Sequence, residues 1–199
     1  MTDPPKWAEP LCNKGFILYV GAFSENKNQR RLIAAWDRLR RQRDDFPALV
    51  LIGPSPDDYM REVIEPLRSQ TVAPEEILIP GFRPSDEVGW AFHHCLTYVQ
   101  PSFAEGFGMP VVEAMSCGRS VACSDSTSLP EVAGGAALLF DPSSVESIAH
   151  TLETVVFDEA ERARLRAAGL ERAKVFTWER NAEIVSRRIR DELSLIASA

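Results

Sequence analysis

The chain is poor in the residues that build metal centres and disulfide frameworks. Its four cysteines, Cys12, Cys95, Cys117 and Cys123, include no CxxC pair. Its three histidines, His93, His94 and His150, are too few and too badly spaced for a metal cluster. Neither a disulfide framework nor a zinc site is expected, and a reducing cytoplasm suits this cysteine usage. No apolar run approaches the ~20 residues that a membrane-spanning helix needs. Met1 is followed by polar, proline-bearing sequence, so no secretory leader is expected. An excess of basic charge is also missing. Lys and Arg number 22 against 29 Asp and Glu, for a formal charge of −7 and a pI near 5.1. That balance argues against a general nucleic-acid binder. It leaves room for a small anionic ligand, because local geometry can hold a phosphate within an acidic protein. There is no internal repeat and no low-complexity segment.

What remains is an ordinary globular composition, 45% hydrophobic and 26% charged over 199 residues. That length supports one substantial core. Residues 1–14, MTDPPKWAEPLCNK, carry three prolines and no periodicity, and read as a linker or arm before a domain spanning 15–199. The chain then alternates. Phe16–Val20, Ala48–Gly53, Glu76–Gly81, Leu96–Pro101, Ser120–Ser124 and Ala136–Phe140 are short apolar runs that predict six strands. Helical spacing predicts helices over Lys27–Gln42, Asp57–Gln70 (bent or shortened by Pro66), Pro84–His94 and from Pro110 to about Gly118. Three more helices follow Phe140. The first carries a capping box, Ser143 with Glu146, and an apolar face of Val145, Ile148, Ala149, Leu152 and Val156. The second, Glu159–Val175, turns Ala163, Leu165 and Ala168 inward. The third is capped by Thr177, and its stripe of Trp178, Val185, Ile189 and Leu193 reads as core rather than partner surface. Continuously apolar strands between amphipathic helices predict an α/β fold, a parallel sheet covered on both faces. Ligands then bind beyond the carboxyl ends of the strands.

Two of those strand-end loops carry chemistry. After the first strand, VGAFSENKNQRR places Gly21 at a tight turn and Lys27 near the start of the next helix, where it can meet a phosphate. Spacing alone favours a solvated basic face, since Arg30 and Arg31 follow. After the fourth strand, PSFAEGFGMPVVEAMSCG places Gly106 and Gly108 before a helix opened by Pro110. Accessible amides and the helix dipole make an anion site. Glu105 and Glu113 flank it, and carboxylates accept hydrogen bonds from hydroxyls, so a ligand bearing both phosphates and hydroxyls fits. A plain scaffold turn fits these residues equally well. The dinucleotide fingerprint lacks its third glycine, which disfavours an oxidoreductase. His93 and His94 suit a helix end.

Together these segments resemble the C-terminal domain of family 4 (group 1) retaining glycosyltransferases of the GT-B fold. ILYVGAFSENKNQRRLIAAW resembles the family's glycine-then-lysine loop, IPGFRPSDEV its base-binding turn, and PSFAEGFGMPVVEAMSCG its E-x7-E signature. SDSTSLPEVAGGAALLFDPSSVESIA and ARLRAAGLERAKVFTWERNAEIV resemble the segments that follow, so the likeness runs from Phe16 to Leu193. It implies a Rossmann-like sheet of about six strands, one half of a GT-B fold. It also implies transfer of a hexosyl group from a nucleoside-diphosphate sugar with no metal or other cofactor. By resemblance Glu105 contacts donor-sugar hydroxyls, and the amides of Gly106, Phe107, Gly108 and Met109 hold sugar and phosphate. Gly21 shapes the first loop, the amides of Val111 and Val112 at the helix start face the diphosphate, and Glu113 takes the ribose hydroxyls. Lys27 neutralises the departing diphosphate, and the backbone around Phe82 and Arg83 meets the base. Many members carry an arginine directly after the first-loop glycine, where this chain has Ala22. That small residue favours a GDP-mannose-like donor, with a UDP-sugar as the alternative. The resemblance further implies a separate N-terminal domain binding a glycan or lipid-linked acceptor, whose cover the Trp178 stripe would share. It places the protein in the cytoplasm, peripheral to the membrane at most. The competing reading is a non-catalytic module that binds nucleotide sugars or a protein partner.

Overall fold

A computed structural model of the chain describes residues 3–11 and 15–197. Cys12 and the ends of the proline-bearing start lie outside the described residues. Six parallel strands form one sheet: β1 (Phe16–Val20), β2 (Ala48–Ile52), β3 (Ile77–Gly81), β4 (Thr97–Gln100), β5 (Ser120–Ser124) and β6 (Leu138–Phe140). Their order is β3-β2-β1-β4-β5-β6. The chain begins in the middle, adds β2 and β3 on one side, then returns to pair Ile17 of β1 with Thr97 of β4. The direction of growth reverses between β1 and β4, which makes their carboxyl ends the switch point where such sheets bind ligands.

Side chains on a strand alternate between faces, so both faces of an apolar strand must be covered. Ile17, Tyr19, Leu49, Leu51, Val99 and Ala122 pack with Leu32, Ile33 and Trp36 of α1 (Gln29–Arg40) and Ile148 and Leu152 of α7 (Val145–Phe157). Leu18, Val50, Ile52, Tyr98, Val121 and Cys123 pack on the other face. There they meet Trp90 of α4 (Ser85–His94), Val111 and Met115 of α5 (Met109–Ser116), and Leu129 of α6 (Leu129–Ala133). The buried Trp36 indole N–H donates to the Pro47 carbonyl at 2.8 Å, so this large side chain enters the core without an orphaned donor. Burial pushes the thiols of Cys95 and Cys123 up to about 12, which suits inert core cysteines.

Several local expectations are revised. Lys6–Leu11 of the opening segment is a 3-10 helix with Ala8 and Leu11 buried, and Trp7 donates to Glu87 at 2.7 Å. Pro66 does not shorten its helix. A short α2 (Asp57–Tyr59) runs through a π turn at Met60–Ile64 into α3 (Glu65–Ser69), so the wider turn precedes the proline. Helix α7 is capped by Ser144, whose hydroxyl accepts from the Ser147 N–H at 3.1 Å. Ser143 instead bonds Asp141, and Glu146 pairs with Arg38, so the Ser143–Glu146 box is not formed. On α8 (Glu159–Ala173), Leu165 is buried but Ala163 is exposed. Thr177 does cap α9 (Trp178–Ala197), accepting from the Arg180 N–H at 3.2 Å. The α9 stripe is not core. Trp178 is 79% exposed, and Val185, Ile189 and Leu193 are exposed with it.

Candidate functional site

The loops after β1 and β4 meet at the switch point. The first runs from Gly21 through a 3-10 turn, Glu25–Lys27, to Asn28. Asn28 takes the left-handed conformation (φ 59°), which asparagine tolerates better than most residues, and it caps α1. Its buried amide donates to the carbonyls of Pro101 at 2.9 Å and Pro142 at 2.8 Å, tying this loop to the segments after β4 and β6. Asn26 adds two further ties. Its side chain donates to Ala104 O at 2.9 Å, and its own carbonyl accepts from Phe103 N–H at 2.8 Å. Lys27 is thereby carried against the second loop.

There Lys27 Nζ lies 2.8 Å from both Glu105 carboxylate oxygens. The side chains are only 26% and 12% exposed, so this is a partly desolvated pair rather than a solvated surface contact. The basic-face reading of Lys27 fails on that geometry. Arg30 and Arg31 point elsewhere, to Glu25 and to Asn28 and the Ser143 carbonyl.

Glu105 is held from several directions. Its Oε1 accepts from Gln100 Nε2 at 2.8 Å and Ser102 Oγ at 2.7 Å as well as from Lys27. Its N–H donates to Thr127 Oγ1 at 2.9 Å, and Ser128 Oγ donates to its carbonyl at 2.9 Å. Thr127 sits at φ 50°, a strained conformation for a β-branched residue, which the surrounding loop must enforce.

The segment after Glu105 behaves as an amide cradle could. No hydrogen bond among the described residues uses the N–H of Gly106, Phe107, Gly108 or Met109. Gly108 caps α5 at φ 100°, and a Cβ there would lie 2.7 Å from Leu129 Cδ2, so only glycine fits. The Val111 N–H is already bonded to Gly108 O at 3.0 Å, and the Val111 and Val112 side chains are buried. Four unengaged donors and the N-terminal end of α5 thus lie in the loop after β4, at the switch point.

Glu113 lies one turn into α5 with its side chain exposed, and partial desolvation raises its carboxyl above the usual range. Among the described residues no hydrogen bond or ion pair joins it to the Lys27–Glu105 pair. Phe82 and Arg83 lie farther along the same sheet edge. The loops after β1, β2 and β3 are laced side by side: Gly21 N–H bonds Ile52 O at 2.9 Å and Gly53 N–H bonds Gly81 O at 3.1 Å. Beyond that edge a cavity of about 380 Å³ is lined by Gly53, Ser55, Asp57, Ile79 and Phe82. Phe82 is 73% exposed. Arg83 is turned aside, donating to the Pro80 carbonyl and lying 3.9 Å from Glu87.

A second cavity, of about 540 Å³, is apolar and flanks α5. Phe107, Met109 and Val112 line it from one side, and Phe176, Trp178 and Ile184 from the other. The side chains of Phe107 and Met109 therefore face this groove. Sequence reasoning missed Gln100, Ser102, Thr127, Ser128, Asn26 and Asn28.

The chain matches the family model for glycosyl transferases group 1 over residues 6–172. It is 38% identical over 172 residues to the O-antigen chain mannosyltransferase B of Escherichia coli, a match covering 85% of this chain and 44% of that protein. It is 30% identical over 169 residues to the Escherichia coli serotype-specific mannosyltransferase WbdA, covering 85% of this chain and 21% of that one. The chain thus spans less than half the length of these relatives. Among solved structures it superposes on sucrose-phosphate synthase from Thermosynechococcus elongatus with a TM-score of 0.81 at 25% identity, over 98% of this chain and 50% of that one. Anabaena HepE in complex with UDP-glucose shares the fold, with a TM-score of 0.77 at 21% identity over 97% of this chain and 53% of that one.

Proposed function

Because the chain belongs to the group 1 glycosyl transferases, we propose that it is the donor-binding half of a retaining hexosyltransferase. The observation that carries this reading is the Lys27–Glu105 pair, set across the switch point beside four unengaged amides. A nucleoside-diphosphate sugar has complementary chemistry for each part. The amides of Gly106, Phe107, Gly108 and Met109 take phosphate oxygens, as the N-terminal end of α5 favours. Glu105 accepts from sugar hydroxyls. Lys27 meets the diphosphate, where negative charge accumulates as the glycosidic bond breaks; fixed charge at that point stabilises the transition state. Val111 and Val112 anchor α5 so that its dipole points at the phosphates. Gly21 gives the first loop its close approach, and Glu113 accepts from the ribose. The base lies along Phe82 and the backbone of Arg83, over the cavity at the ends of β2 and β3. This chemistry asks for no metal and no cofactor, since Lys27 and the amides supply the positive charge.

Ala22 after the first-loop glycine and the mannosyltransferase names of the relatives favour a GDP-mannose-like donor. The UDP-glucose bound to HepE keeps a UDP-sugar as the alternative. The acceptor, a glycan or lipid-linked glycan, is bound by a further N-terminal domain that supplies the other wall of the cleft. The exposed Trp178 stripe and the groove beside α5 are surfaces that such a domain would cover. No helix among the described residues is long and apolar enough to cross a membrane, which is consistent with a cytoplasmic enzyme working at the membrane face.

Isothermal calorimetry with GDP-mannose, UDP-glucose and UDP-N-acetylglucosamine tests the reading. Binding of one donor in preference to the others is expected, with GDP-mannose the tightest. Heats indistinguishable from dilution for the whole panel would sink it. The ribose role has its own test. Glu113→Ala should weaken nucleoside diphosphates about tenfold while leaving inorganic pyrophosphate unchanged, because a ribose hydroxyl loses a charged acceptor. Equal loss for both ligands would remove Glu113 from the ribose.

A further inference from the structure

Gln100 closes β4 at 2% exposure, and its amide is fully committed. Its Oε1 accepts from the Tyr98 hydroxyl, two residues back on the same face of the strand. One Nε2 proton goes to Ser102 Oγ at 2.7 Å and the other to Glu105 Oε1 at 2.8 Å. Ser102, fully buried, donates its own hydroxyl hydrogen bond to the same carboxylate oxygen at 2.7 Å. The two oxygens of Glu105 are therefore unequal. Oε1 accepts three hydrogen bonds, from Gln100, Ser102 and Lys27. Oε2 accepts one, from Lys27. A carboxylate oxygen holding three donors has no lone pair to spare, whereas Oε2 is free to receive ligand hydroxyls.

We propose that Gln100 is a positioning residue that pins Glu105 by Oε1 and so presents Oε2, with Lys27 beside it, to the donor sugar. The proposal rests on the donor-binding reading of Glu105. Gln100 itself touches no ligand. It is screened behind Glu105 and Ser102, and its hold is anchored by Tyr98, whose hydroxyl also lies 3.3 Å from the Val20 carbonyl at the start of the first donor loop. The sheet edge, the first loop and the carboxylate are thus joined by one buried chain of polar groups. Such chains fix geometry because every member is satisfied in a single arrangement. In a chain without this glutamine, Glu105 would keep its lysine but lose its fixed rotamer.

Gln100→Met keeps the length of the side chain and removes its polar atoms. Affinity for the sugar nucleotide should fall about tenfold, the scale of one hydrogen bond to a charged group, while affinity for the matching nucleoside diphosphate stays within about twofold. On a Glu105→Gln background the same substitution should cost nothing, since its effect runs through that carboxylate. Equal losses for the two nucleotides, or a loss that persists on the Glu105→Gln background, would overturn the proposal in favour of a merely structural role. If Gln100→Met does not fold, Gln100→Asn carries the same comparison, keeping an amide but falling one methylene short of Glu105. Should the unaltered chain bind sugar nucleotides no tighter than nucleoside diphosphates, the donor reading of Glu105 fails. A crystal structure of the variant then still decides the positioning. Glu105 released from Ser102 supports it, and an unmoved Glu105 refutes it.

Discussion

Lys27→Ala is expected to weaken binding of a nucleoside-diphosphate sugar about a hundredfold, with little effect on the stability of the chain. Two losses add. On the donor-binding reading the diphosphate loses the Lys27 cation in a partly desolvated crevice, where screening by water and salt is weak. Glu105 then faces the ligand with an uncompensated charge, because Lys27 donates to both of its oxygens. The fold survives because Glu105 keeps Gln100, Ser102 and the backbone tie to Thr127, and the loop keeps its Asn26 and Asn28 anchors. Calorimetry on Lys27→Ala and on the double variant with Glu105→Gln separates the two losses. The double variant should recover part of the affinity for the free nucleoside diphosphate. A drop of less than about threefold in Lys27→Ala, at near-physiological salt, would return Lys27 to the role of a surface cation.

That pair also marks how far the sequence could be read. The strands were legible because parallel strands buried on both faces are continuous apolar runs, and FILYV, ALVLI and SVACS have no other comfortable home. The E-x7-E spacing stood out only through the family resemblance, since from the residues alone a plain scaffold turn fits Glu105 to Glu113 as well. The partners of Glu105 were not. Gln100, Ser102, Thr127 and Ser128 are residue types that loops use everywhere, and only the folded register aims them at one carboxylate. Helix α6 escaped because five residues holding Pro130 and followed by Gly134 and Gly135 read as a turn. The cap of α7 slipped by one residue because Ser143 and Ser144 are chemically equal, and Asp141 claims the first. The α9 stripe shows the limit of periodicity. It marks an apolar face and says nothing of what covers it, and Trp178, Ile189 and Leu193 face outward in this chain.

Gly53→Ala should cost about 3 kcal/mol of stability, the upper end of what overpacking a core does, and should impair donor binding as well. A Cβ at Gly53 would lie 2.0 Å from the Gly21 carbonyl oxygen and 2.6 Å from its carbon. These are backbone atoms, so no side-chain rotation relieves the clash. Nor can Gly53 retreat freely, since its N–H is bonded to Gly81 O at 3.1 Å and the Gly21 N–H to Ile52 O at 2.9 Å. The strain must go into the loop after β1, which carries Lys27 toward Glu105. Gly81→Ala is the matched control. Gly81 has a positive φ of 77° but open space around its Cβ position, so it should lose only about 1–2 kcal/mol, the cost of a left-handed backbone for an L-residue. Urea unfolding midpoints at equal slope give both numbers. If the two variants lose the same stability, the close approach of Gly53 to the first loop is not what requires glycine there. If Gly53→Ala is the less stable yet binds donor normally, the first loop does not transmit its position to Lys27.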